Sequence, residues 1–425
     1  MKDKIKIWHL LFLFWIVIII FRFELVVDSF LLLINFLVLL ITDFNMAIQS
    51  LDFSFFDVMI SLVLFISIPV ILFFKRKRTK WFYTPMNFSI LILSLLVFAF
   101  IFAPLITDEN PDFQKDLKVT KLLPPFASVK VIHLKNKNNL PSGSFTQLKS
   151  KVIKPSFDES VIFANSVKIK SDKIVYYQKI AKKEMSISAL LQKNGKPQIS
   201  SRLYLFGTDE FGRDIFTRLI YGARISLLIG TGSVFVSLLI GLTLGFFAGF
   251  KSGWLDVVLS RFTDLFLAFP VIYLIVMILA LFGNTLLSVI VVLGISGWMS
   301  LFKIVKSEVV AARQKDYLIT AEMLGLNKSK ILFNEILPVI FVPVLVNIIF
   351  QFSNVILAES ALSYLGLGSG SSYPSWGAMI ESVQQYIYKA WWLIIFPGLT
   401  LIFTLFSAND IGSKLKNKLN PRTEI

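Results

Sequence analysis

The 425-residue chain contains no cysteine. Disulfides, thiolate metal centres and thiol nucleophiles are therefore excluded together. Its two histidines, His9 and His133, lie too far apart in sequence to suggest a ligand cluster. Charge is also scarce, at 16% of residues against about a quarter in soluble domains. No G-x-x-x-x-G-K-[S/T] phosphate loop occurs, so the chain lacks that means of holding ATP itself. We predict no catalytic residue, no metal site and no cofactor of its own.

Apolar residues fill the space left by these absences: 55% of the chain is hydrophobic and its mean hydropathy is +0.72. They are gathered into long uncharged runs, as in a polytopic membrane protein. A helix needs about 20 mainly apolar residues to cross the hydrocarbon core. Six windows meet that length closely: 88–106, 225–250, 265–282, 286–302, 339–357 and 391–407. Three further stretches precede them, 7–21, 25–41 and 58–74, the first two separated only by Arg22, Phe23 and Glu24.

The net charge of +16 would suggest nucleic acid on a soluble chain. Here the basic residues flank the apolar runs, so they read as topology determinants, with the lipid bilayer and not nucleic acid as partner. Lys75, Arg76, Lys77, Arg78 and Lys80 are expected on the cytoplasmic side. Alternation from there also places Lys251 and Arg261, residues 303–330, and Lys414, Lys416, Lys418 and Arg422 inside. The N-terminal part conflicts with this scheme, because three full spans starting from a cytoplasmic Met1 would bring Lys75 to the wrong face. Either one stretch is interfacial or re-entrant, or the N-terminus is outside. No small-residue cleavage site follows the first run, which argues against a cleavable signal peptide.

The expected organisation is an N-terminal membrane extension at 1–80, a first core span at 81–106, an extracytoplasmic insertion at 107–202, and a core at 203–425 with five spans and a cytoplasmic loop at 303–338. Within the insertion, 128–134, 166–169 and 173–177 alternate or cluster β-branched residues between Asn, Pro, Gly and Lys. Two readings stay open there, a small β-rich domain and a disordered polar insertion.

The loop at 303–338 reads as helix, stop, helix. Val309, Ala312, Asp316, Ile319 and Met323 recur at helical spacing, Gly325 supplies a stop, and Asn327 is a suitable N-cap. Pro338 sits where a span begins. A partly apolar helical pair outside the bilayer needs a groove on another protein. Asp316, Tyr317, Ala321, Gly325, Ile331, Ile336, Leu337 and Pro338 resemble the coupling (EAA) loop of membrane subunits of ATP-binding-cassette importers. Glu322 belongs to the same stretch, whereas Ile319 and Thr320 replace the Glu and first Ala that name the loop.

A second motif narrows the resemblance. Phe206 to Gly230, containing Gly207, Thr208, Asp209, Gly212, Arg213 and Asp214, looks like the approach to the second core span in C-type permeases of dipeptide and oligopeptide importers. Residues 249–256, 358–368, 375–377, 390–398 and 409–412 agree with it. The resemblance covers about half of the chain, from about Leu203 to Arg422.

It implies an all-α, six-helix, type I importer-like permease core in the bacterial cytoplasmic membrane, with the N-terminal segments and the insertion as additions. It also implies a sister permease subunit or second copy, two ATPase subunits that bind ATP and Mg at the cytoplasmic face, an extracytoplasmic binding protein, and a peptide substrate. Asp209, Arg213 and Asp214 are expected to be structural or substrate-proximal.

Gly230, Gly241, Gly245 and Gly249 form a packing face against another helix or the partner subunit. Asn347, Gln351 and Asn354 are candidates to line a pathway, with Asn284, Thr285 and Ser353 as further polar positions. Asp264 and Glu359 are expected at span ends. Nickel or another small solute is the alternative cargo. An ion-coupled secondary transporter and a membrane-anchored sensor are the alternatives in other classes.

Overall fold

A computed structural model of the chain describes residues 6–75, 86–135, 144–170, 173–193, 196–251, 253–323, 327, 330–368 and 374–419. Seven described helices are long and apolar enough to cross a membrane, or eight if one bent pair is counted as a span. In lipid each backbone N–H needs an acceptor within its own segment, which is why such runs become helices. The long ones are α1 (Ile7–Thr42), α2 (Phe53–Lys75), α3 (Phe88–Ile106), which the insertion follows, and α5 (Ile215–Lys251). After α5 come α6 (Trp254–Ala268), α7 (Val271–Phe282), α8 (Leu286–Arg313), the short α9 (Asp316–Met323), α10 (Leu337–Tyr364), the short α11 (Trp376–Glu381) and α12 (Trp392–Leu419). The chain divides into two compact units. One holds Met1–Asn87, Ser94–Arg224 and Val383–Phe396; the other holds Phe88–Leu93, Ile225–Ser382 and Pro397–Ile425.

Two helical expectations need correction. The stretches 7–21 and 25–41 are one 36-residue helix, α1, kinked at Arg22 (φ −128°, ψ 23°). Arg22 does not end the helix, because its guanidinium is used elsewhere: Nε and Nη2 donate to the carbonyl of Ile106 at 3.0 and 2.7 Å, and Nη1 pairs with Asp108. It thereby caps an acceptor at the C-terminal end of α3 that has no helical partner.

The expected span at 265–282 is likewise not one helix. It breaks between α6 and α7, which meet at 87°. Pro270 offers no N–H and pushes Phe269 into an extended conformation (φ −85°, ψ 138°). At 1.5 Å per residue the 12 residues of α7 reach only about 18 Å, too short to cross alone.

Of the two readings of the insertion, the described residues show the folded one. β1 (Ala127–His133) pairs antiparallel with β2 (Val161–Ala164), and β3 (Ser166–Ile169), β4 (Lys173–Gln178) and β5 (Ala181–Ser186) form a second sheet. The last strand, β6 (Ile199–Tyr204), joins the other edge of β1, giving the order β2-β1-β6. β1 buries both of its faces, as strand alternation allows: Val129 and Val131 pack with Phe113, Phe163 and Tyr204, and Ile132 packs with Ala164, Ile174 and Tyr176. Helix α4 (Ser144–Val152) places Phe145 and Val152 against Leu32 of α1 and Phe55, Val58 and Met59 of α2. The basic positions 76–80 lie outside the described residues.

Candidate functional site

Between α8 and α10 the chain stops being a membrane helix and becomes a loop held from two sides. α8 ends at Arg313, whose Nη1 donates to the carbonyl of Phe250 at 2.5 Å. After a turn at Gln314 and Lys315, α9 begins at Asp316. Leu318 of α9 is buried with Val305, Val309 and Ala312 of α8 and with Ile331, Ile336 and Ile340. Burial of one Leu side chain contributes about 1.5–3 kcal/mol, enough to hold so short a helix against the long ones. The expected helical face from Val309 to Met323 is therefore interrupted. Met323 is 83% exposed and Leu318 is the anchor.

Asp316 and Thr320 are exposed, and Thr320 Oγ1 donates to its own helix at the carbonyl of Asp316, 2.9 Å. The backbone of Tyr317, Ala321 and Glu322 lies in α9, whereas Gly325 lies outside the described residues. The carbonyl of Asn327 accepts from Ile331 N at 3.1 Å, as at a helix start. A π-helical turn, Ile331–Ile336, then runs directly into α10 at Leu337 and Pro338. Pro338 is thus inside a continuous helical stretch and not at a free start. Its missing N–H and its ring clash with the preceding turn account for the wider π turn. Phe333 on that turn is 63% exposed.

The glycines of α5 resolve their packing within the chain. A Cβ on Gly241 or Gly245 would lie 2.9 or 2.8 Å from a backbone oxygen of α8, and one on Gly249 would lie 2.9 Å from the Lys306 carbonyl. Gly230 faces α10 at Phe352 and Ile356. Ser233 and Ser237 fasten the same contact by donating to the carbonyls of Ile290 and Gly294 at 3.0 and 2.6 Å. Lys303 pairs with Asp264 at 2.9 Å and Lys306 with Asp256 at 2.5 Å, so these basic positions share one end of the unit with Phe250 and Arg313.

The motif at 206–214 folds into a tight turn ahead of α5. Gly207 and Gly212 have φ of +79° and +73°, and a Cβ on either would strike Leu123 O or Thr120 Oγ1 at 2.4 or 2.2 Å. Thr208 Oγ1 accepts from Leu123 N at 2.8 Å and donates to the carbonyl of Thr120. Asp209, 3% exposed, accepts from the backbone of Phe211 and Arg213 at 2.9 Å each, and from Arg213 Nε at 2.6 Å. Asp214 caps α5 through Thr217 N and Oγ1 at 3.0 and 2.6 Å. Burial, and behind it the Asp209 carboxylate, hold the neighbouring Glu210 carboxyl above its ordinary range, and Glu210 Oε2 has no hydrogen-bond partner among the described residues.

Glu359 lies in the last turns of α10, near the span end where it was expected. It is 1% exposed and accepts from Ser363 Oγ at 2.8 Å and Ser375 Oγ at 2.7 Å. Ser375 also caps α11, whose Trp376 is fully buried and donates its N–H to Ser226 Oγ at 3.2 Å. Residues 358–368 and 375–377 are thereby folded onto each other.

The polar residues of α10 separate. Gln351 is buried against Gly297 with neither amide atom bonded among the described residues, and Asn347 Oδ1, one turn earlier, is also buried with no partner among them. Asn354 is exposed and does not share their environment. Asn284 and Thr285 lie just ahead of α8, where Thr285 caps the helix at Ser288 N, 3.2 Å. Ser353 Oγ turns back to the carbonyl of Ile349 at 3.5 Å.

Sequence reasoning missed Phe333, Leu318, and two charged contacts. Arg218 Nη1 reaches Asp112 at 2.8 Å, and Arg224 Nη1 reaches Asp57 at 2.5 Å. Arg218 follows Asp214 by one helical turn, which was a usable signal. Asp112 and Asp57 are 106 and 167 residues from their partners, and nothing local marks them.

Comparison with known proteins adds four findings. Residues 241–423 match the family described as "Binding-protein-dependent transport system inner membrane component". The chain is 38% identical over 217 residues to the dipeptide transport system permease protein of Alkalihalophilus pseudofirmus, covering 51% of this chain and 71% of that protein. It is 33% identical over 219 residues to the oligopeptide transport system permease protein of Haemophilus influenzae, covering 52% and 70%. Among solved structures, a chain of the methionine transporter MetNI in inward-facing conformations overlaps 47% of this chain and 97% of its own length, with 19% identity and a TM-score of 0.39.

Proposed function

Since this chain belongs to the binding-protein-dependent transport system inner membrane components, we propose that it is a membrane-spanning permease subunit of an ATP-binding-cassette importer for di- and oligopeptides. It is a multi-pass protein of the bacterial inner membrane. Hydrolysis of ATP falls to separate ATPase subunits, and a sister permease completes the pathway. An extracytoplasmic binding protein delivers the peptide.

The observation that carries the coupling role is the loop at 303–338. Leu318 and Ile331 hold it to two long helices, while Met323 and Phe333 offer apolar surface that is exposed among the described residues. An ATPase groove is the expected complement, and closure of two ATPase subunits would move α8 and α10 as rigid elements. Asp316, Thr320 and Pro338 lie in the coupling stretch, to which we also assign Gly325. The turn at Gly207 to Asp214 is structural in this reading, because hydrogen bonds within the turn occupy both oxygens of Asp209. Gln351 and Asn347, buried and unbonded among the described residues, are the residues we assign to the pathway.

Two N-terminal helices also favour a simple topology. With α1 as one span and α2 as the next, Lys6 and Lys75 fall on the same cytoplasmic side in this reading, and the parity conflict is removed. Residues 1–80 are then an accessory extension and 107–202 an extracytoplasmic insertion.

The test is affinity purification of the chain from gently solubilised membranes. Recovery of a second permease and ATPase subunits is expected. Repeated purification alone, under conditions that preserve other membrane complexes, would overturn the reading.

A further inference from the structure

The unit that contains the insertion has an open cleft of about 720 Å³, apart from the loop at 303–338. Its volume lies within the range of small-ligand sites. The walls come from Arg22 of α1, the strands β1, β2 and β6, the stretch after α4, and the start of α5, with Phe163 and Phe216 on the apolar part. Four Lys or Arg and four Asp or Glu side chains line it, so it suits a ligand carrying both signs better than a simple anion.

Most of these charges are already committed. Arg22 pairs with Asp108, Arg202 with Glu109, and Lys151 with Asp28, while Asp214 caps α5. Lys154 is the exception: it has no hydrogen-bond or ion-pair partner among the described residues. Partial burial, and after it repulsion from Arg22, hold its ammonium below the ordinary lysine value, with Asp158 opposing them. Asp158 spends Oδ1 on Ser160 N and Oγ, at 2.8 and 2.6 Å, and its Oδ2 is open among the described residues.

We infer that this cleft is a binding site for a short peptide, taking the C-terminal carboxylate on Lys154 and the free amine on the carboxylate side of the cleft at Asp158. The inference rests on the peptide reading above and adds to it a holding site built by the insertion, apart from the membrane pathway. A charge-assisted contact of this kind discriminates strongly between a carboxylate and its neutral amide.

The test uses the full chain in phosphatidylcholine nanodiscs, with equilibrium dialysis of radiolabelled trialanine, alongside uptake of the same tripeptide by cells carrying the whole importer. Saturable binding is expected, weakened roughly tenfold by Lys154→Gln and by amidation of the tripeptide's C-terminus. Lys154→Arg should retain it, which separates loss of the charge from loss of the fold, and Lys168→Gln on the exposed edge of β3 should leave it unchanged. Absence of saturable binding, or binding indifferent to Lys154→Gln, overturns the proposal. So does Lys154-dependent binding of phosphatidylglycerol without trialanine binding, which would assign the site to a lipid phosphate. Uptake that persists when cleft binding fails leaves the importer reading standing; loss of uptake by the unaltered importer as well removes both.

Discussion

Arg224 fills the acceptor that Pro104 leaves open. Pro104 has no N–H to give to the carbonyl of Phe100 one turn earlier, and Arg224 Nε donates to that oxygen at 2.6 Å. Its Nη2 reaches the next carbonyl, Ile101, at 3.1 Å, and Nη1 pairs with Asp57 at 2.5 Å. One guanidinium therefore repairs a proline kink and neutralises a carboxylate in membrane helices, where either fault alone is costly.

Removing only one partner should be worse than removing both. Arg224→Met is expected to cost about 3–5 kcal/mol by leaving Asp57 uncompensated. The double variant Arg224→Met with Asp57→Leu should recover part of that loss. Arg224→Lys should fall between, because an ammonium can meet Asp57 but cannot fork to both carbonyls. Thermal unfolding of the detergent-purified variants checks this, and full additivity would refute the coupling.

Glu210 should make the protein less stable as pH rises. Its carboxyl is held above the ordinary value in the folded chain, so between the two values the folded state binds more protons than the unfolded one. Stability then falls as pH climbs through that window and is lowest above it. Glu210→Gln is expected to raise the unfolding temperature at pH 7.5 relative to the wild type, with little gain at pH 4. An equal gain at both pH values would point to packing instead.

Helix contact at Gly245 leaves no room for a side chain. Gly245→Val places its Cβ 2.8 Å from the carbonyl of Phe302 and from Val305, so α5 and α8 must part. A loss of about 1–3 kcal/mol is expected. Gly398→Ala, where nothing lies within 4 Å, should be near neutral in the same unfolding assay.

Loop residues should divide by exposure. Phe333→Ala and Met323→Ala are expected to lower ATP-driven uptake and copurification of ATPase subunits while leaving the unfolding temperature unchanged. Leu318→Ala should act through the fold, at about 2–5 kcal/mol. Gly325→Val is expected to uncouple hydrolysis from uptake with insertion intact. Normal uptake in all of these variants would remove the coupling role.

Much of this molecule is legible in its chain because lipid enforces a local rule. A run of apolar residues has to satisfy its own backbone, so α3, α5, α8, α10 and α12 can be located from composition alone. Strand alternation marked β1, β3 and β4, and the motif at 206–214 was recognisable by its resemblance to the approach to a core span, whereas its turn geometry was not. The breaks were harder. Arg22 looked like a boundary between two helices, yet its charge is absorbed by Ile106 and Asp108 and α1 continues through it. Pro270 was visible in the sequence, but the size of the bend it produces was not.

The sequence by itself determined the membrane class, the places of α3, α5, α8, α10 and α12, and the helical loop, since these follow from residues near one another in the chain. Tertiary structure alone decided which glycines face α8 and which α10, that Leu318 and not Met323 anchors α9, and that Glu359 is buried among serines. It also decided how Arg224 meets Asp57 and how Lys154 comes to line a cleft with no partner among the described residues. Each of these depends on residues tens to hundreds of positions apart, and no periodicity along a single chain encodes such a meeting.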